Sequence, residues 1–184
     1  MSRYTLLLIN GAILMACAVF IYTARSTVLT ALLLLLPFID RAWQAPNWQS
    51  QKSNLTITII LFVSYSLLIA LNLDELYLAL SLLLLVALPE EWFFRAYFMV
   101  RLQSFFKDRN ISNVVTLWGS NITSSVLFTL MHVPTQGLFG LSVFVPSLFF
   151  GWVYQKSNNL IIVILLHAIS NLLFLLYLKK LIIN

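Results

Sequence analysis

The sequence predicts an all-α fold: a polytopic transmembrane helix bundle of about seven spans (six to eight) whose core helices enclose a polar cavity. Of the 184 residues, 61% are hydrophobic and only 9% are charged, and the mean hydropathy is +0.94. Soluble domains do not have this composition. Because no long polar stretch interrupts the apolar runs, we expect residues 1–184 to form one membrane-embedded domain of an integral, multi-pass membrane protein.

Apolar runs define the predicted helices in chain order. The predicted helices cover residues 4–23, 26–39, 54–71, 75–104, 113–132, 138–155 and 159–178. The run over 4–23 has no small-residue cleavage site, which indicates a retained helix rather than a signal peptide. It contains Cys17, the only cysteine, which we interpret as a small buried side chain. The run over 26–39 is short and ends at Pro37, so it either crosses obliquely or lies at the interface.

Polar and helix-breaking residues mark the connections between these helices. The segment 40–53 contains two tryptophans, which favour the headgroup level, and it is predicted to be a surface connector. Pro89 lies in the middle of the fourth helix, and because proline has no N–H donor we expect a kink there. Pro134 and Gly137 predict a turn directly after His132.

The basic residues indicate an orientation in the membrane. The net charge is +5, but the Lys and Arg residues lie mostly in short loops and near the ends, a distribution typical of topology signals rather than of nucleic-acid binding. With seven spans, one side holds Arg3, Arg41, Lys52, Arg101, Lys107, Arg109 and Lys156, and the other holds Arg25, Lys179 and Lys180. The positive-inside rule then predicts a cytoplasmic N-terminus and a site that opens to the extracytoplasmic side.

Ionisable side chains in three of the apolar helices point to a functional site. The chain has two histidines, His132 and His167, and both lie inside apolar runs. The acidic pair Glu90 and Glu91 lies deep in a third run, whereas the other four acidic residues lie in or beside loops. An ionisable group at bilayer depth is costly, so it usually faces an interior cavity and has a function there.

The spacing of these residues indicates how they are arranged. Three pairs lie four residues apart, which places both members of a pair on one helix face: Glu91 with Arg95, Phe128 with His132, and His167 with Asn171. The first pair has the favourable order for an ion pair within a helix, which leaves Glu90 free for a different partner. The aromatic ring of Phe128 can pack against the imidazole of His132 and restrict its orientation.

The three pairs also form motifs that occur together in a known family. Glu90 to Arg95 fits the pattern EExxxR, Phe128 to His132 fits FxxxH, and His167 to Asn171 fits HxxxN. With these motifs in this order, the chain resembles the CAAX protease and bacteriocin-processing (CPBP, or Abi) family of intramembrane endopeptidases. The resemblance covers residues 75–178, and residues 1–74 lie outside this core.

The resemblance implies a glutamate-dependent peptidase that needs no cofactor. Glu90 would activate a water molecule as general base, and His132 would bind or orient that water. His167 and Asn171 would donate hydrogen bonds to the oxyanion of the tetrahedral intermediate. The supporting residues would be Glu91, Arg95 and Phe128.

The resemblance also indicates partners and substrates. The expected partners are membrane lipid and a protein or peptide with a hydrophobic or lipidated tail, and no nucleic acid. Family members cut near the C-termini of prenylated proteins, process bacteriocin leaders, or act on the C-terminal sorting tails of bacterial surface proteins. The short chain and the outward-opening site favour the sorting-tail class, in a bacterial inner membrane.

Three other interpretations remain open at this stage. Glu90, His132 and His167 are the ligand types of a catalytic zinc site, although the sequence lacks the HExxH pattern. Intramembrane Glu and His also mark transporters and proton relays, which would favour inverted repeats and paired broken helices. A membrane scaffold or immunity-type protein could retain the fold without catalysis.

Overall fold

The computed structural model describes residues 4–5, 8–13, 27–46 and 54–178, and these residues form helices and turns without any strand. The helices are α1 (Thr27–Leu35), α2 (Leu55–Ala70), α3 (Leu73–Lys107), α4 (Asn113–Gln136), α5 (Phe144–Ser157) and α6 (Leu160–Leu173). A 3-10 turn, Leu36–Ile39, extends α1, and a π turn, Phe174–Leu178, extends α6. The all-α prediction is confirmed for this part of the chain. Most of the helix predicted over 4–23, with Cys17, lies outside the described residues.

Three helical stretches in the described part of the chain are long and apolar enough to cross a membrane. They are Leu73–Lys107, Asn113–Ser157 and Leu160–Leu178. Two shorter apolar helices cover Val28–Ile39 and Leu55–Ala70. These stretches support an integral membrane protein, but they do not confirm the predicted number of seven spans.

Helix α3 is irregular around its acidic pair. A short α-helical turn, Leu88–Glu91, lies between two π-helical segments, Leu82–Ala87 and Trp92–Met99. Pro89 lies in that short turn, where its missing N–H breaks the regular ladder of hydrogen bonds. The irregularity expected at Pro89 therefore takes the form of widened turns on both sides of it, a feature that often occurs at functional sites.

Helix α4 is longer than predicted. It continues through Pro134 to Gln136 and ends where Gly137 adopts a positive φ of 60°. The prediction of a turn directly after His132 is therefore wrong, because the helix tolerates a proline in its last turn. The 3-10 segment Gly137–Val143 then packs back against α4, and a Cβ on Gly140 would lie 2.8 Å from the carbonyl carbon of His132.

Small polar side chains on α4 hold it against its neighbours. Ser124 Oγ donates to the carbonyl of Phe94 on α3 at 3.0 Å, and Asn121 Nδ2 donates to the carbonyl of Leu148 on α5 at 3.0 Å. Both side chains are fully buried. In a membrane, where lipid is as apolar as the helices, such small and polar contacts are a main source of helix association.

The connector after α1 is not simply a surface loop. Asp40 is buried and forms an ion pair with Arg101 of α3 at 2.7 Å, and Trp43 Nε1 donates to the carbonyl of Ala96 at 2.9 Å. The prediction of a surface connector is therefore wrong at Asp40 and Trp43, since both residues dock on α3. Residues 47–53 lie outside the described part of the chain.

Candidate active site

The carboxylate of Glu91 joins two helices at the centre of the site. Its Oε2 accepts a hydrogen bond from Arg95 Nε at 2.9 Å, which confirms the predicted ion pair within α3. Its Oε1 accepts a second hydrogen bond from His167 Nδ1 of α6 at 2.8 Å. Glu91 and Arg95 are completely buried. The pair is therefore part of an interhelical network, and the bond to His167 is not evident from the sequence.

Two contacts fix the ring of His167. Because an ionised carboxylate has no proton, His167 Nδ1 donates to Glu91, and this leaves Nε2 on the opposite edge of the ring for another partner. Phe150 of α5 stacks on the imidazole, with ring centroids 5.3 Å apart and an interplanar angle of 27°. Nε2 lies 3.7 Å from Oε2 of Glu90, which is longer than a hydrogen bond.

Glu90 has a carboxylate oxygen that protein groups leave unsatisfied. Its side chain is 17% exposed, yet its Oε2 is buried and has no hydrogen-bond partner among the described residues. A buried polar atom of this kind is costly unless water or a ligand supplies the missing bond. Glu90 is thus the free carboxylate of the acidic pair, as the spacing predicts, and the group it approaches is His167.

His132 is held by its own helix. Its Nδ1 lies 2.8 Å from the carbonyl oxygen of Phe128, and since a carbonyl only accepts, Nδ1 carries the proton. In the neutral form of the ring, Nε2 is then the acceptor nitrogen, able to bind a water proton. The Phe128 ring packs against His132 with centroids 4.5 Å apart, as predicted, and lies 6.0 Å from the ring of His167.

A cavity of about 420 Å³ brings several of the predicted residues together. Phe128, His132, His167 and Asn171 all line it. Glu90 is not among the lining residues, and it is connected to them through the 3.7 Å approach to His167. Most of the lining residues are apolar, so the wall is less polar than the sequence predicts.

Comparison with protein families identifies a family for this chain. A family model described as type II CAAX prenyl endopeptidase Rce1-like matches residues 72–173, more than half of the chain. The chain belongs to this Rce1-like family. The matched range contains the Glu90–Arg95, Phe128–His132 and His167–Asn171 motifs, and the family resemblance inferred from them is confirmed. Searches of curated proteins and of solved structures gave no significant match.

Membership of the Rce1-like family, a family of proteases, favours the peptidase interpretation over the transporter and scaffold alternatives. In the part of the chain that the structure describes, no three His, Cys, Asp or Glu side chains form a group that could hold a metal ion. Glu90, His132 and His167, the ligand types considered for zinc, therefore do not form such a group here. The geometry gives the zinc alternative no support.

The three motifs omit several polar residues of the cavity wall, and Ser147 is the one that contacts a motif residue. Ser147 of α5 lines the cavity, and its Oγ accepts a hydrogen bond from Arg95 Nη2 at 2.7 Å. Ser147 lies in an apolar stretch without a recognisable pattern, so the only signal in the sequence is a single hydroxyl among apolar residues. The stacking of Phe150 on His167 also has no signal in the sequence, because it joins two helices.

Proposed function

We propose that this protein is an intramembrane endopeptidase in which Glu90 activates a water molecule for attack on a peptide bond. The observation that supports this most directly is the position of Glu90 Oε2, which is buried, lacks a hydrogen-bond partner among the described residues and lies 3.7 Å from His167 Nε2. A general base must be within reach of the proton it takes, directly or through one water. Water between Glu90 and the cavity would meet this requirement.

The proposed reaction assigns one proton transfer to each step. Glu90 takes a proton from water, and the resulting hydroxide attacks the carbonyl carbon of the peptide bond and forms a tetrahedral oxyanion. Glu90 then returns the proton to the leaving amine as the C–N bond breaks. His132 accepts a hydrogen bond from the attacking water through its Nε2, the nitrogen that the contact with Phe128 leaves unprotonated.

The oxyanion is stabilised by donors on α6. His167 and Asn171 lie one turn apart and line the same cavity. Asn171 donates from its Nδ2. His167 donates from Nε2 when both ring nitrogens carry protons, since Nδ1 remains bonded to Glu91. Because Glu90 holds the proton while the oxyanion exists, the oxyanion itself and the carboxylate of Glu91 balance that positive charge.

The cavity supports a substrate with an apolar segment. A mainly apolar wall around about 420 Å³ suits a short stretch of hydrophobic peptide or an attached lipid better than a charged sequence. The family description also names prenyl endopeptidases. We therefore assign a membrane-associated protein with a hydrophobic or lipidated C-terminal tail as substrate, and bacterial sorting tails are the first class to test.

The charge distribution supports a site on the extracytoplasmic side of the membrane, and the membrane we propose is a bacterial inner membrane. Gln136 and Phe139 line the cavity, so it lies at the end of the bundle where α4 ends. The acidic Asp74 and Glu75 lie in the first turn of α3 at this same end, whereas Lys107 in the last turn of α3 and Lys156 in the last turn of α5 lie at the other end. By the positive-inside rule, the basic end is cytoplasmic.

The decisive experiment measures cleavage in proteoliposomes. Purified wild-type protein should cleave a synthetic peptide that carries a hydrophobic or prenylated tail, and Glu90→Gln should reduce kcat at least thousandfold because the amide cannot accept the proton. Glu75→Gln is the matched control, since Glu75 is exposed and lies outside the cavity. Cleavage by the Glu90→Gln protein at the wild-type rate would refute the proposed mechanism.

A further inference from the structure

Three serines line the cavity, and one of them uses its hydroxyl differently from the others. Ser142 Oγ donates to the carbonyl of Phe139 at 2.7 Å, and Ser170 Oγ donates to the carbonyl of Leu166 at 2.8 Å. Such bonds to the preceding turn are the usual use of a serine in a helix. Ser147 instead accepts a hydrogen bond from the Arg95 guanidinium at 2.7 Å.

This contact leaves the proton of Ser147 available. A hydroxyl has one proton to donate and two lone pairs, and Arg95 occupies one of the lone pairs. Among the described residues, no hydrogen bond from Ser147 to an acceptor is found. The donor behind it is charged and fixed, because Arg95 is completely buried and also bonded to Glu91. A hydroxyl that accepts from a charged donor is itself a stronger donor.

A peptide bound in the cavity needs such a donor. Moving a backbone carbonyl from water into a mainly apolar cavity is unfavourable unless the carbonyl finds a new hydrogen bond there. The motif residues lie on α3, α4 and α6, so none of them belongs to α5. Ser147 is a cavity-lining hydroxyl on α5, with 1% of its surface exposed and its position set by Arg95.

We infer that Ser147 is a substrate-binding residue, which donates its hydroxyl proton to a backbone carbonyl of the bound peptide outside the bond that is cleaved. The inference rests on the proposed peptidase function and adds a residue that none of the three motifs contains. It also gives Arg95 a second role: besides pairing with Glu91, its guanidinium holds the Ser147 hydroxyl in place.

The kinetic test compares serines of the same wall. Ser147→Ala should raise KM for the tailed peptide about tenfold with kcat within about twofold, because the lost bond binds substrate and transition state equally. Ser147→Cys, which keeps a weaker donor of similar size, should give an intermediate KM. Ser142→Ala and Ser170→Ala should leave KM within about twofold of wild type, because those hydroxyls already donate to their own backbone.

A purely structural role for Ser147 would give a different result. Ser147→Ala leaves Arg95 Nη2 without its hydrogen-bond partner. Because Arg95 Nη1 has no hydrogen-bond partner among the described residues either, we expect the variant to unfold at a lower temperature than wild type. If that were its only effect, the active fraction and hence the apparent kcat would fall, while KM would not change. An unchanged KM in the folded Ser147→Ala protein would overturn the inference.

A binding measurement tests the inference apart from catalysis. The same peptide is titrated into the Glu90→Gln protein and into the Glu90→Gln, Ser147→Ala double variant, and the dissociation constant should be about tenfold higher for the double variant. Equal constants, or no binding to either protein, would contradict the role of Ser147. A different result would contradict the proposed function itself: wild type and Glu90→Gln would cleave the peptide at the same rate.

Discussion

His167 of α6 and Glu91 of α3 are joined by a 2.8 Å hydrogen bond between Nδ1 and Oε1, although 76 residues separate them in the chain. The other oxygen of the same carboxylate binds Arg95. One buried carboxylate therefore orients the imidazole of the site and neutralises the guanidinium behind Ser147. In the proposed mechanism, this arrangement gives Glu91, the second glutamate of the EExxxR motif, a positioning role and leaves Glu90, the first, for chemistry.

Replacement of Glu91 should affect stability and catalysis together. Glu91→Gln leaves Arg95 as an uncompensated buried charge, and removal of one partner from such a pair costs about 3 kcal/mol of folding free energy. It also weakens the bond that orients His167, so the kcat of the folded fraction should fall as well. Thermal unfolding in detergent and cleavage per folded molecule measure the two effects.

The control for Glu91 is the other buried ion pair. Asp40→Asn removes the negative charge from the 2.7 Å ion pair with Arg101, and neither residue lines the cavity. It should lower the unfolding temperature but leave kcat per folded molecule unchanged. If Glu91→Gln and Asp40→Asn lowered kcat equally, the positioning role of Glu91 would be wrong.

Loss of the Asn171 carboxamide should slow the chemical step. We expect Asn171→Ala to reduce kcat about hundredfold with little change in KM, because an oxyanion donor acts mainly in the transition state. Gln136→Ala removes another carboxamide from the cavity wall and should change kcat by less than about threefold. Steady-state kinetics of both variants with the same peptide measure this difference. Equal kcat values for the two variants would show that Asn171 does not stabilise the oxyanion.

A methyl group on Gly140 should disturb His132. The Cβ in Gly140→Ala would lie 2.8 Å from the carbonyl carbon of His132 and 2.9 Å from its oxygen, so the backbone of one segment must move. Overpacking of this kind lowers the free energy of unfolding by about 1 to 3 kcal/mol. Activity should fall with it because His132 shifts relative to the water it binds. Leu138→Ala, at an 82% exposed position of the same 3-10 segment, should behave as wild type.

Metal chelators should not inhibit cleavage. In the described part of the chain, no three His, Cys, Asp or Glu side chains form a group that could hold a metal ion. We expect activity within about twofold of the untreated enzyme after chelation and less than stoichiometric metal in elemental analysis. The metallopeptidase alternative would be favoured if the protein contained one zinc ion per molecule, if chelation removed both the zinc and the activity, and if added zinc restored the activity.

Labelling from outside the cell should reach the 3-10 segment. Leu138→Cys, in a background where Cys17 is replaced by Ser, introduces a thiol at an exposed position near the cavity. A membrane-impermeant maleimide should modify it in intact cells, because the proposed orientation places this end of the bundle outside. A cysteine at Lys107, at the opposite end, should react only after the membrane is opened. The reverse pattern would refute the extracytoplasmic site.

Contacts within one helix could be predicted from the sequence. The four-residue spacing correctly predicts the Glu91–Arg95 ion pair and the packing of Phe128 against His132, because helix geometry alone sets both. Hydropathy likewise predicts the helices from residue 26 onward, with two differences: α4 extends four residues further than expected, and the α-helix predicted to begin at residue 138 begins at Phe144, after the 3-10 segment. These features depend on neighbours in the chain, and a single sequence contains that information.

Contacts between helices could not be predicted in this way. The bonds of His167 to Glu91, of Ser147 to Arg95 and of Asp40 to Arg101 depend on how the helices rotate against each other. Periodicity defines which residues share a face, but it does not define which faces meet. For the same reason the sequence assigns Asp40 to a surface loop, although its charge is compensated by a residue 61 positions away.

The double use of Glu91 has a consequence for biosynthesis. During translation, α3 enters the bilayer long before α6 has been made, so its acidic pair and Arg95 must pass through insertion without His167. The guanidinium four residues away can pair with one carboxylate at that stage, whereas Glu90 does not yet have the imidazole of His167 beside it. In the proposed mechanism, the site is therefore complete only when α6, the last described helix, docks against α3.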